Sequence, residues 1–82
     1  MNNIYIGPNV KKFGLVQYQV FLNGLPDYIY DLMQKYQELE LLICDTDEFL
    51  QKVSLTSLPG TIYYKAYEKL KDKKFLNERN VK

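Results

Sequence analysis

The residues able to do chemistry in this chain are few. There is no histidine among the 82 residues, which removes the commonest general base and the commonest neutral metal ligand. Ser-His-Asp and Cys-His arrangements are excluded within one chain. With Cys44 the single cysteine, no intrachain disulfide and no structural zinc site can form. Cys44 stands just before a helix start, where a thiol can be activated. Asp45, Asp47 and Glu48 oppose a thiolate there, so a buried, inert thiol is expected. The same acidic run lacks the ligand number and glycine spacing of a calcium loop. It reads as a helix start, with Asp45 as cap and Glu48 three residues on.

Two glycine-bearing breaks precede helix starts, and backbone N–H groups at such starts can hold an anion. The candidates are Gly24 and Asp27 at the first, Gly60 and Thr61 at the second. Neither break matches a phosphate-loop or dinucleotide fingerprint, and Pro26 deletes one of the donors an anion would use. Plain turns are the simpler account. The tyrosines are the last resource. Of the eight, Tyr63 and Tyr67 fall on a helical core stripe. Tyr5, Tyr28, Tyr30 and Tyr64 fall off the main stripes and are the interface candidates, because exposed tyrosine gives a binding surface apolar area with a polar tip. The inventory predicts no enzyme, no cofactor and no metal.

The elements that must position these groups follow from pattern. Asn3–Ile6 is short and β-prone, and Gly7-Pro8-Asn9 stops it. Leu15–Leu22 alternates strictly: Val16, Tyr18, Val20 and Leu22 share one face, Gln17 and Gln19 the other. One face is expected to pack on the core. Pro26-Asp27 opens a helix, and Ile29, Leu32, Met33 and Tyr36 form its apolar stripe. Leu39–Cys44 reads as a buried strand, with a continuous helix from Asp27 to Ile43 as the rival. After the acidic helix start, Phe49, Leu50 and Val53 make a short stripe. A last helix begins near Pro59–Thr61, with Tyr63, Ala66, Tyr67 and Leu70 inward; Phe75 and Leu76 extend that stripe or dock elsewhere.

The predicted fold is therefore α/β in the α+β sense, a small three-stranded mixed sheet with helices packed on it, in the order β-β-α-β-α-α. One domain is expected over residues 1–76, with a loose tail over 77–82. Net charge is +1 overall, which gives no nucleic-acid signature. Its distribution is uneven, +4 over residues 65–82 and −3 over residues 1–64. No run is long enough for a membrane span, and Met1–Ile4 has no secretory pattern. A cytoplasmic setting follows.

The runs Ile4-Tyr5-Ile6-Gly7-Pro8-Asn9, Phe13-Gly14-Leu15-Val16 and Asn23-Gly24-Leu25-Pro26 resemble those of small proteins encoded among the head and tail genes of tailed phages and prophages. So do Leu41-Leu42-Ile43 before an acidic helix start and Pro59-Gly60-Thr61 before a Tyr-rich helix. The resemblance implies a phage origin in a bacterial host cell and a virion structural or assembly role. It assigns no catalytic or ligand residue. Two functions are then expected. One is a non-enzymatic interaction module whose partner is a phage structural protein, a host protein or another copy of the chain. The other is a small anti-defence protein that blocks a host immune protein or sequesters a nucleotide-derived signal.

Overall fold

A computed structural model describes residues 2–72. It contains three strands, β1 (Asn3–Tyr5), β2 (Val20–Phe21) and β3 (Ile43–Asp45). Four α-helices accompany them: α1 (Asp27–Lys35), α2 (Gln37–Leu42), α3 (Phe49–Leu55) and α4 (Ile62–Lys71). This is the expected α+β class. The expected domain end at residue 76, the tail from 77 and the roles of Phe75 and Leu76 lie outside the described residues.

The N-terminal strand takes the middle of the sheet. The order is β2-β1-β3, and β1 runs antiparallel to both neighbours. The sheet is thus antiparallel rather than mixed: β2 and β3 point the same way but never touch, and the chain from one to the other steps across β1. Ile4, Tyr5 and Ile6 are all buried as a consequence of that central place.

Tyr5 is therefore no surface anchor, and its place among the interface candidates is corrected. It is 0 % exposed. Its hydroxyl donates to the Pro8 carbonyl at 2.6 Å, which satisfies the phenol inside the core. Gly7 makes the arrangement possible. A Cβ built there would lie 2.6–2.8 Å from Tyr5 ring and hydroxyl atoms. The glycine is needed for close approach of the ring to the chain.

The long strand predicted over Leu15–Leu22 is cut down to two residues by the backbone at Tyr18, which has φ 69°. Gln19 N–H donates to Val16 O at 3.0 Å, closing a turn, and Tyr18 N–H donates to Tyr5 O at 2.7 Å while Tyr5 N–H donates to Gln19 O at 2.9 Å. Tyr18 and Gln19 together oppose Tyr5, which is a β-bulge with its first residue left-handed. Such a position normally takes glycine. The apolar alternation is real, but it lies on the wet side. Leu15 and Phe21 are buried, whereas Val16 is 58 %, Val20 48 % and Leu22 69 % exposed.

Residues 27–45 fall between the two sequence readings. The helix stops at Tyr36, where φ is −126° and ψ 95°. That buried residue closes α1 by donating its N–H to Leu32 O at 2.8 Å and opens α2 by accepting from Leu39 N–H at 3.0 Å. Its ring packs on Phe13 at 4.8 Å between centroids. The second helix runs through Leu42, so Leu39–Leu42 are helical and only Ile43–Asp45 form strand. Leu39 and Leu42 are fully buried either way, which is why periodicity could not separate the readings.

The expected Asp45 cap forms, on the short 3-10 turn Thr46–Glu48 that leads into α3, and α4 carries a cap at Thr61 that the sequence reading did not assign. Asp45 Oδ1 accepts from Asp47 N–H at 3.0 Å, ahead of α3. Thr61 Oγ1 accepts from Tyr64 N–H at 3.1 Å at the start of α4. In α3 the stripe is narrower than predicted: Phe49 and Val53 are half-buried, but Leu50 points out and is 80 % exposed. In α4, Ala66 and Leu70 are buried and Tyr63 and Tyr67 half-buried. The core joins both faces of the sheet to α1, α2 and α4.

Candidate functional site

Three surface hollows take in some of the polar and aromatic residues singled out above. The first lies beside β2. It has a volume of about 520 Å³ and is lined by Val20, Phe21, Leu22, Gly24, Leu25 and Pro26. No charged group lines it. β2 is an outer strand, so its far edge has no strand partner within the sheet. The bonds between Tyr5 and Gln19 make that pair, and hence Asn3 and Phe21, the hydrogen-bonded pairs of this ladder. Val20 opposite Ile4 is then a non-bonded pair, with its N–H and C=O directed outward. The following turn is held by Asn23, whose φ is 62° and whose N–H donates to Asn2 Oδ1 at 3.0 Å.

The second hollow is a groove of about 340 Å³ between the bulge and the last two helices, lined by Gln17, Tyr18, Val53, Thr56, Ser57, Tyr64, Tyr67 and Glu68. Its walls are held from several directions. Gln17 N–H donates to Asn9 Oδ1 at 2.7 Å, and its Nε2 donates to the Tyr67 hydroxyl at 2.9 Å. Tyr18 meets Phe49 edge-on, with centroids 5.5 Å apart. Thr56 Oγ1 donates to Val53 O at 2.7 Å.

The third hollow, about 500 Å³, joins β3 to α3 and α4 and includes Cys44, Asp45, Glu48, Lys52 and Tyr63. Lys52 Nζ donates to the Tyr63 hydroxyl at 3.1 Å and sits 5.0 Å from the ring centroid. The hydrogen bond to Tyr63 raises the Lys52 pKa. Burial raises that of the Cys44 thiol, and Glu48 and Asp45 push the same way against Lys52. Cys44 is buried and kept protonated by these surroundings, which suits packing and not nucleophilic work.

The predicted site residues are not brought together. Tyr28 and Tyr30 are exposed on α1, Tyr64 is half-buried in the tyrosine groove, and Tyr5 is inside the core. Among the anion candidates, Gly24 sits in the apolar hollow with no cation in its lining. Asp27 is exposed at the start of α1. Gly60 is exposed with φ 99°, and Thr61 already accepts from the α4 backbone, so that terminus is capped by the chain itself. Sequence reasoning missed Gln17 and Tyr18 as site residues because no glycine or asparagine marks their turn.

No family model, no curated protein and no solved structure matches the chain. Among the described residues, no helix is long and apolar enough to cross a membrane.

Proposed function

We propose that the chain is a non-enzymatic protein–protein interaction module that takes an extended segment of a partner onto the edge of β2. The observation that carries this reading is the exposure of Val16, Val20 and Leu22 beside an outer strand whose Val20 N–H and C=O point away from the sheet. Strand addition uses such an edge for backbone hydrogen bonds and neighbouring pockets for alternate side chains. The hollow lined by Val20, Phe21, Leu22 and Leu25 supplies the pocket. The strand is short, so apolar contact carries more of the affinity than the backbone does.

The likeness of the turn signatures to phage head and tail proteins supports a virion or assembly setting, with a phage structural protein as the partner, in a bacterial cytoplasm or on the particle. Blocking a host immune protein would use the same edge. Sequestration of a nucleotide-derived signal has less support, because no cation lines the apolar hollow or the tyrosine groove, whose one charged lining residue is Glu68.

The test is affinity capture from infected or lysogenic cells with the wild-type chain, Val20→Pro and Leu22→Lys in parallel. Val20→Pro removes an outward N–H and leaves the bonds to β1 intact, as proline at a sheet edge can. Virion proteins captured by wild type and lost by both variants support the reading. Host defence proteins lost in the same way support the blocking role. Capture unaffected by either variant overturns the edge as the binding surface.

A further inference from the structure

We propose that the groove walled by Tyr18, Tyr64 and Tyr67 is a binding site for a small organic cation, a methylated ammonium of about the size of choline. The site is separate from the β2 edge and stands on different residues.

Three observations converge. The first is composition. Three tyrosines from two parts of the chain line one hollow, and the single charged residue in its lining is Glu68. Aromatic faces attract cations, and quaternary ammonium groups are recognised by such aromatic cages. A carboxylate at the rim, shared with Lys71, adds a counter-charge for a cation. The second is that the chain already places an ammonium against one of these rings, on a residue that does not itself line the groove. Lys71 Nζ lies 5.8 Å from the Tyr67 ring centroid and 3.6 Å from Glu68 Oε2. Lys71 and Glu68 are both about half exposed, so this contact is a rim arrangement that leaves the groove accessible. A methylated ammonium sheds water more readily than a primary one and is the better occupant of the aromatic interior.

The third is strain. Tyr18 holds φ 69°, a conformation that is an outlier for a bulky residue, and such outliers gather at ligand sites. Glycine or asparagine would hold this bulge at lower cost, but would supply no ring to the groove. The tyrosine wall is also fixed before any ligand arrives, since Gln17 ties the bulge to Tyr67 across the groove at 2.9 Å. Its volume of about 340 Å³ lies at the low end for small-molecule sites, which suits a compact head group.

The experiment is an NMR titration of the full chain with choline chloride, with sodium chloride as the ionic-strength control. A parallel titration uses 3,3-dimethylbutan-1-ol, the uncharged carbon isostere of choline. Saturable shifts at Gln17, Tyr18, Tyr64, Tyr67 and Glu68 are expected with choline, and the isostere should bind about tenfold more weakly if the ring faces and Glu68 act on charge. Glu68→Gln should weaken choline about threefold. Tyr18→Asn keeps the left-handed backbone accessible, so it should keep the fold while weakening choline about tenfold. Its far-ultraviolet spectrum and melting midpoint confirm the fold. Choline shifts that do not saturate, equal binding of choline and its isostere, or undiminished binding by Tyr18→Asn would each overturn the proposal.

Discussion

Tyr5 and Tyr18 are joined by one backbone hydrogen bond of 2.7 Å, yet the chain treats them oppositely. Tyr5 sits in the central strand with extended backbone, no exposed surface and its hydroxyl bonded to Pro8. Tyr18 sits one strand out in a left-handed conformation, 48 % exposed, with a single edge-on ring contact to Phe49. One tyrosine is held by its side chain, the other by its own backbone N–H and the hydrogen bonds of its neighbours. The contrast separates residues that make the fold from residues that the fold places on display. It also locates the groove on the side of the molecule where local conformational preference has been overridden.

The largest effect should come from the Tyr5 side. Tyr5→Ala empties a fully buried aromatic site and should cost about 3–5 kcal/mol, enough to unfold a marginal small domain. Gly7→Ala should cost about 1–3 kcal/mol through overpacking against the same ring. Denaturant unfolding measures both. Next in size is Thr61→Ala, which removes the acceptor for Tyr64 N–H and the hydroxyl near Leu55 O and Leu58 O. A loss of about 1–2 kcal/mol is expected from the same measurement.

The contrast can also be sharpened by pH. Burial pushes the Tyr5 phenol well above its ordinary value, so above about pH 10 the unfolded chain sheds a proton that the folded chain keeps. That contribution to stability is whole below this pH and is lost as pH rises. Cys44 has the same sign of shift, and its share begins to fall above about pH 8.5. Unfolding free energy should therefore decline in two stages on the alkaline side, and Tyr5→Phe should flatten the second. Tyr5→Phe should itself cost about 1 kcal/mol at neutral pH by leaving the Pro8 carbonyl unpaired.

The smallest effect is expected at Tyr18. Tyr18→Gly relieves the left-handed strain while losing the Phe49 contact, and the two should nearly cancel, to within about 1 kcal/mol. Tyr18→Val should be the more destabilising of the two despite its greater hydrophobicity, because a β-branched residue tolerates positive φ worst. If valine proves the milder change, the backbone at Tyr18 is not under strain.

The elements that chemistry alone can place were legible in the sequence. Asp45 announced a helix start through a side chain that accepts a backbone N–H, and Ala66 and Leu70 announced the inner face of α4 through spacing. The errors share a cause. Tyr18 and Tyr36 break a strand and a helix without a residue type that marks a break. Both places meet contacts distant in sequence: Tyr5 at the bulge, and Phe13 and α4 around the helix corner. Val16, Val20 and Leu22 alternate as a core face would, and only the occupancy of the inner side by Leu15 and Phe21 turns them outward. The candidate groove was the least legible part. Its two walls come from residues about fifty positions apart, and nothing local to Gln17 reports that its side chain will reach Tyr67.

The corner at Tyr36 bears on how the chain acquires its shape. Nothing within residues 27–42 forbids one straight rod, since no glycine or proline occurs there. A peptide of those residues on its own has no cause to bend. The corner is held in the fold by tertiary contacts, the Phe13 ring against Tyr36 and the packing of α2 on α4, so the two halves of that rod depend on segments far away in sequence for their directions.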